Sequence, residues 1–218
     1  MPVAPGVLRA GLRSIQAWDR VRLRWLHMRH PGLSIHPEAS TGFATARFQL
    51  GLTARLRIAP GAATERRPGW LNFLVYDGAE VEVGEEVWLR TEVAPVTLVA
   101  YPGARLILGK GAFVNGAHLS AKTEVRLDEK AQVGPGSKVY DADQHDLDDQ
   151  RPEQRSPIHI GPYAWVASDT TVLRGVTIGG HAIVGTRSVV NRDVPAHEFW
   201  AGAPARRLGT VGDRSEAR

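Results

Sequence analysis

From residue 160 to residue 195 the chain sets a β-branched apolar residue at every sixth position: Ile160, Val166, Val172, Ile178, Val184 and Val190. The position after each is mostly small or turn-prone (Gly161, Ala167, Gly179, Gly185 and Asn191, with Leu173 the departure). The position four after is compact (Ala164, Thr170, Val176, Ala182, Ser188, Val194). An amphipathic helix would repeat at about 3.6 residues. A period of six instead predicts a short strand and a tight corner per unit, stacked on itself, with one β-branched side chain per unit pointing inward. The phase runs backward through Val139, Val133 and Leu127 and then, after one extra residue that predicts a bulge, through Ser120, Val114 and Leu108. Val83 with Gly84, Leu89, and Leu56 and Ile58 ahead of Pro60 and Gly61 read as earlier, degenerate units, since terminal coils are atypical in such arrays.

Two segments leave this pattern. Val139 and Ile160 are 21 residues apart where three units would take 18, and the stretch from Gln144 to Pro157 is too polar to line a core, which predicts an excursion loop. Leu8, Leu12, Ile15, Trp18, Val21, Trp25 and Met28 fall at helical spacing among arginines, which predicts an amphipathic helix over 7–29, closed by His30, Pro31 and Gly32. Its Leu/Trp face is expected to pack on the flank of the repeat or cap the first coil; the alternative is weak peripheral contact with a membrane. The chain thus divides into an N-terminal basic helix region (1–32), degenerate early coils (33–105), the regular six-residue repeat (106–200) with its loop at 144–157, and a closing motif and tail (201–218), the tail after Arg206 expected to be weakly ordered.

Composition narrows the chemistry. The 218 residues are 43% apolar and 23% charged, ordinary for a globular protein, and Gly 23 and Pro 14 sit at turns rather than in triplets. The absence of cysteine excludes a disulfide framework, a thiolate metal site and an acyl-cysteine intermediate. A net charge of +4 does not call for nucleic acid, but it is unevenly spread: residues 1–30 hold six arginines against Asp19, while 141–155 holds six acids against Arg151 and Arg155. No run is long and apolar enough for a membrane span, and the first thirty residues have no signal-peptide core, so a cytoplasmic location is expected. A GxGxxG, a P-loop, a GxSxG and an HExxH are all lacking.

Three motifs, DADQHD at 141–146, the WVAS to NRDVP run at 165–195 and AGAPARRL at 201–208, occur in an order and spacing that resembles the hexapeptide-repeat acyltransferases, specifically the CoA-dependent sugar O-acetyltransferases acting on maltose, galactosides, nodulation factors and polysaccharides. The resemblance covers residues 106–209. It implies a mainly β fold, a left-handed parallel β-helix, a homotrimer, and acetyl-CoA bound between adjacent helices as donor to a saccharide hydroxyl. By position it makes His145 the catalytic base, Asn115 and Asp143 acceptor-binding residues, and Trp165, Ser168, Thr186, Asn191, Arg192 and Arg206 the contacts to CoA. No metal is implied. The sequence departs from the family pattern at Ala203, where asparagine is usual, and at Asn191 and Arg192, where Thr-Lys is usual; an arginine keeps the positive charge a phosphate needs.

The chemistry of the residues agrees with that role. A sugar hydroxyl attacking a thioester needs a base near neutrality, and histidine is suited to that pH. Asp146, Asp148 and Asp149 are candidates to orient the ring. Each residue also has a plainer reading: His145 as a solvated loop histidine, Asn115 as a corner residue tolerant of left-handed geometry, Trp165 as a packing aromatic, Arg192 and Arg206 as surface charge. The acceptor is not identified by sequence; an amine on a xenobiotic or amino sugar is the alternative to a hydroxyl. Two other classes stay open, a carbonic-anhydrase-like metal enzyme drawing on His118, His145, His159 and His181, and a non-catalytic trimeric scaffold.

Overall fold

The computed structural model describes residues 5–216, without the side chains of residues 5–10 and 12. The expected contributions of Leu8, Arg9 and Leu12 to the helix face lie outside the described side chains. From Leu33 onward the chain winds as a three-sided prism of parallel strands. One face stacks seven strands from 33–35 to 177–178, a second stacks six from 63–64 to 183–184, and a third stacks seven from 47–50 to 189–190. Each coil visits the first, second and third faces in turn.

The regular coils are 18 residues long, as Val166 beside Val184 and Val172 beside Val190 show. All six residues of the series from Ile160 to Val190 are fully buried, and so are the compact residues four positions on, from Ala164 to Val194. Two of every six side chains therefore face the axis. Burying one Val or Ile contributes roughly 1.5–3 kcal/mol, and this repeated gain offsets a repeated cost at the corners. Tyr163, Asp169, Gly175, His181 and Arg187, six residues apart, all have positive φ, between 57° and 76°; for residues other than glycine that geometry costs about 1–2 kcal/mol each. Gly134 is required for a different reason: a Cβ there would lie 2.9 Å from Ser168 N, on the next coil.

The coil joining Val114 to Val133 has 19 residues, and Lys122 and Thr123 lie in the interval where a bulge is expected; the register there is corrected by one, since Leu119 rather than Ser120 stands beside Val139. The next coil, from Val133 to Val166, has 33. Its surplus is the polar excursion, which leaves the corner between the third and first faces as a small hairpin with antiparallel bridges Ala142 to Arg155 and Asp148 to Arg151. The early coils are longer, 25 residues from Val81 to Leu106 and from Leu89 to Val114. Their inward residues are nevertheless as buried as those of the regular coils.

Helix α1 (Pro5–Arg29) lies against the first coil. Leu26 is buried and Leu23 packs on the core, while Asp19, 1% exposed, accepts from Arg66 Nε at 3.0 Å. The expected burial of the Leu/Trp face is corrected here: Leu23 and Leu26, which lie outside that face, turn inward, while Ile15, Trp18, Val21, Trp25 and Met28 are exposed. At the other end, 198–201 and 206–210 form an antiparallel pair on the second face. The tail beyond it is tied to the coils as far as it is described, to residue 216. Arg214 N donates to His181 Nδ1 at 3.0 Å, and its Nε donates to the carbonyl of Tyr163 at 3.1 Å.

Candidate functional site

The excursion hairpin is pinned by buried polar chemistry rather than by apolar packing. Asp141, fully buried at its base, accepts from the N–H groups of Lys122 and Thr123, each at 2.7 Å, and from Thr123 Oγ1 at 2.7 Å. That segment of the coil below is thus capped by the first acid of the loop. Lys122 Nζ then reaches the Gln144 carbonyl at 3.3 Å and Glu153 Oε1 at 2.5 Å, the side chains of Lys122 and Glu153 both being 11% exposed. Its ammonium also stands over the ring of Tyr101. That ammonium, with Arg155 beside it, holds the Glu153 carboxyl below its usual range.

From the coil above, Arg174 Nε donates to Asp143 Oδ1 at 2.6 Å, and Gln154 N donates to Asp143 Oδ2. The Arg174 hydrogen bond depresses the Asp143 carboxyl. Glu153 N donates to Asp146 Oδ1 across the hairpin, and Asp148 closes its tip with Arg151. Asp141 and Asp143 thus tie the loop to the coils below and above it, and Asp146 and Asp148 hold it together from within. Gln144 has φ +74°, a left-handed turn set immediately before His145. His145 itself is exposed and has no hydrogen-bond partner among the described residues.

Asn115 ends the strand Phe113–Asn115, at the corner between the second and third faces. It is 8% exposed, and its Oδ1 is buried with no partner. A buried acceptor left unpaired costs about 1–3 kcal/mol, so the position is not explained by packing. Ser168 and Thr186 occupy the same corner on later coils, and their N–H groups find no acceptor among the described residues.

Asn191 and Arg192, both exposed, stand at the corner between the third and first faces, the one from which the His145 hairpin leaves. Six of the sequence-derived residues therefore fall on two edges of the prism. Asn115, Ser168 and Thr186 share one, His145, Asn191 and Arg192 share the other, and the third face lies between them, on the order of 15 Å wide for a four-residue strand and its flanks. Trp165 stands on the second face, 39% exposed, with the Arg214 guanidinium 5.4 Å from its ring centre. Arg206 is exposed on the closing pair and donates to the carbonyl of Ala205.

Lys122, Arg174 and Arg214 are contacts that sequence reading missed. A lone Lys at a bulge beside an acidic loop is the one signal that pointed to the first; the other two carry none. Of the histidines weighed for a metal, His159 Nε2 lies 2.6 Å from Asp128, and His118 packs edge-on against Tyr140. His181 lies stacked between Tyr163 and His197. Among the described residues no three His, Asp or Glu side chains converge as a metal site would require.

No family model matches the chain. Among curated proteins it is similar to the galactoside O-acetyltransferase of Escherichia coli, 27% identical over 142 residues, which are 62% of this chain and 66% of that protein. A protein of Staphylococcus aureus named as an acetyltransferase is 43% identical over 54 residues, 25% of this chain and 27% of its own. The chain thus spans just under two thirds of the first relative and about a quarter of the second. Among solved structures, the polysialic-acid-specific acetyltransferase NeuO superposes with a TM-score of 0.67 at 21% identity, covering 79% of this chain and 80% of that one. A hexapeptide-repeat acetyltransferase of Vibrio cholerae, solved with acetyl coenzyme A, superposes with a TM-score of 0.53 at 26% identity, covering 62% and 72%.

Proposed function

Starting from a chain that is a hexapeptide-repeat, left-handed β-helix protein whose relatives are acetyltransferases, we propose that it transfers acetyl from acetyl-CoA to a saccharide hydroxyl. The site completes itself between copies in a homotrimer. The observation that carries this reading is the placement of His145 and Asn115 on two different edges of one prism. A neighbouring copy that laid its Asn115 edge against the His145 edge would assemble both residues in one cleft. The E. coli relative is a galactoside enzyme and NeuO is specific for polysialic acid, which favours a saccharide over other acceptors.

In this mechanism an imidazole nitrogen of His145 takes the acceptor hydroxyl proton as its oxygen bonds to the thioester carbonyl carbon. The C–S bond breaks as the tetrahedral intermediate collapses, and the imidazolium returns the proton to the departing sulfur, so free CoA and the acetyl ester leave with atoms balanced. The unpaired Asn115 Oδ1 accepts from an acceptor hydroxyl. The free N–H groups of Ser168 and Thr186 face the amide-bearing pantetheine arm, and Arg192 and Arg206 meet its phosphates.

The test has two parts. Thiol release from acetyl-CoA is followed against a panel of saccharides and nucleotide sugars, with amines as the competing acceptor class. His145→Ala and Asn115→Ala proteins are then mixed, unfolded and refolded together. Sites shared between copies recover activity at about a quarter of interfaces by random assembly. Sites held within one chain recover none, which would overturn the shared-site reading.

A further inference from the structure

Helix α1 has two apolar faces, and the β-helix uses only one of them. At about 100° per residue, Asp19, Leu23 and Leu26 point toward the first coil. Trp18, Val21, Trp25 and Met28 gather in a sector roughly 80° wide on the outward side. These four are 67%, 55%, 48% and 73% exposed.

Arginines border that stripe on both sides: Arg22 and Arg29 along one margin, Arg13, Arg20 and Arg24 along the other, all exposed and none paired with an acid among the described residues. The Arg29 guanidinium lies 5.3 Å from the centre of the Trp25 ring. The helix's one acid, Asp19, is withdrawn into the contact with Arg66 and adds no negative charge to this surface. Beside the stripe, a groove of about 730 Å³ opens between the helix and the first coil, lined by Leu23, Met28 and Ile35 together with Arg20, Arg24 and His27.

We propose that α1 attaches the protein to an anionic lipid surface. Tryptophans and aliphatic side chains between two cationic margins match the layering of a membrane interface, apolar toward the acyl region and positive at the phosphates. The groove offers room for part of an acyl chain alongside. A second copy of the same face is a poor occupant, because it would set arginine margin against arginine margin. The attachment lies parallel to the surface, since no described helix is long and apolar enough to cross a membrane.

The experiment is co-sedimentation of the full chain with vesicles of phosphatidylcholine, with and without phosphatidylglycerol, over a range of salt. Binding is expected only with phosphatidylglycerol and falls as salt rises. Trp18→Ser with Trp25→Ser weakens it at every salt by about tenfold or more, as removal of interfacial apolar area requires. Arg22→Gln with Arg24→Gln and Arg29→Gln weakens it by about fivefold per charge, only where phosphatidylglycerol is present. Both variants alter exposed side chains alone, so their melting temperatures and thiol release in solution stay at wild-type values. Absence of phosphatidylglycerol-dependent binding by the wild type, or binding unchanged in both variants, overturns the proposal. A Trp18/Trp25 variant that dissociates the oligomer also overturns it, by giving the stripe to another copy.

Discussion

Lys122 Nζ lies 2.5 Å from Glu153 Oε1 and 3.3 Å from the carbonyl oxygen of Gln144, so one cation from the coil below holds both sides of the hairpin that presents His145. Removing Lys122 leaves Glu153 to the more exposed Arg155 and takes away the donor to the Gln144 carbonyl, at a cost on the order of 1–3 kcal/mol. Lys122→Met is therefore expected to release the hairpin while the coils persist. Faster hydrogen exchange over 141–156, with kcat falling about tenfold or more and the KM for acetyl-CoA little changed, identifies Lys122 as a positioning residue. Partial rescue by Lys122→Arg is expected. Equal loss of protection throughout the chain would make its role general stability instead.

His145→Ala should leave the melting temperature at the wild-type value, because the ring is exposed and unpaired. Turnover should fall by about 10²–10⁴-fold, the usual contribution of a general base. In the wild type kcat/KM rises with pH as the general base loses its proton, and that limb disappears in the variant. Steady-state kinetics on the acceptor found in the panel decide this. A correctly folded variant keeping more than about a tenth of wild-type kcat removes His145 from the mechanism.

Asn115→Ala separates function from stability. The orphaned Oδ1 is a standing cost to the fold, so its removal leaves the melting temperature unchanged or slightly higher. The KM for the acceptor rises and that for acetyl-CoA does not. A fall of several degrees in melting temperature would show the side chain to be structural.

Arg192→Ala and Arg206→Ala should raise the KM for acetyl-CoA more than that for the acceptor, by about tenfold each, the scale of one charge-assisted hydrogen bond. Dephospho-CoA derivatives used as donors should reveal which of the two meets the ribose phosphate. An unchanged donor KM in both variants returns them to surface charge.

Stability should decline on mild acidification through His118. Burial, followed by the nearby Lys138 charge, lowers its pKa from 6.5. The unfolded chain then takes up a proton in a range where the folded chain does not, so stability is full above about pH 6.5 and is lost as pH falls through the lowered value. Chemical denaturation at several pH values measures the slope, and His118→Gln should flatten it. A wild-type slope unaffected by that substitution would place the proton elsewhere.

The prism was legible where its corners are short. Between Ile160 and Val190 every corner is a tight turn with a left-handed residue, so inward positions recur at an unbroken six. In the 25-residue coils the corners take up additional residues, and side chains such as Val81 and Leu106, adjacent in space, lose their fixed phase in the sequence. His145 was visible in the DADQHD motif, and Asn115 by its position in the family resemblance. Their separation onto two edges was not, because it depends on the count of faces between them. The Lys122 clamp was hidden for a related reason: its partner Glu153 is 31 residues away, across a loop with no periodicity to measure by.

The antiparallel closing pair also determines what this molecule avoids becoming. A parallel β-helix ends in three rows of unsatisfied backbone groups, each a template on which another chain could continue the winding. Here the second face ends in a strand running the opposite way. Val194 bridges the last strand of the first face, and Ala205 N and the Gly202 carbonyl take up the backbone groups of Val189 on the third. With the last coil occupied on all three sides, and the strand that now ends the second face running against the winding, the C-terminal end offers no parallel template on which another coil could continue.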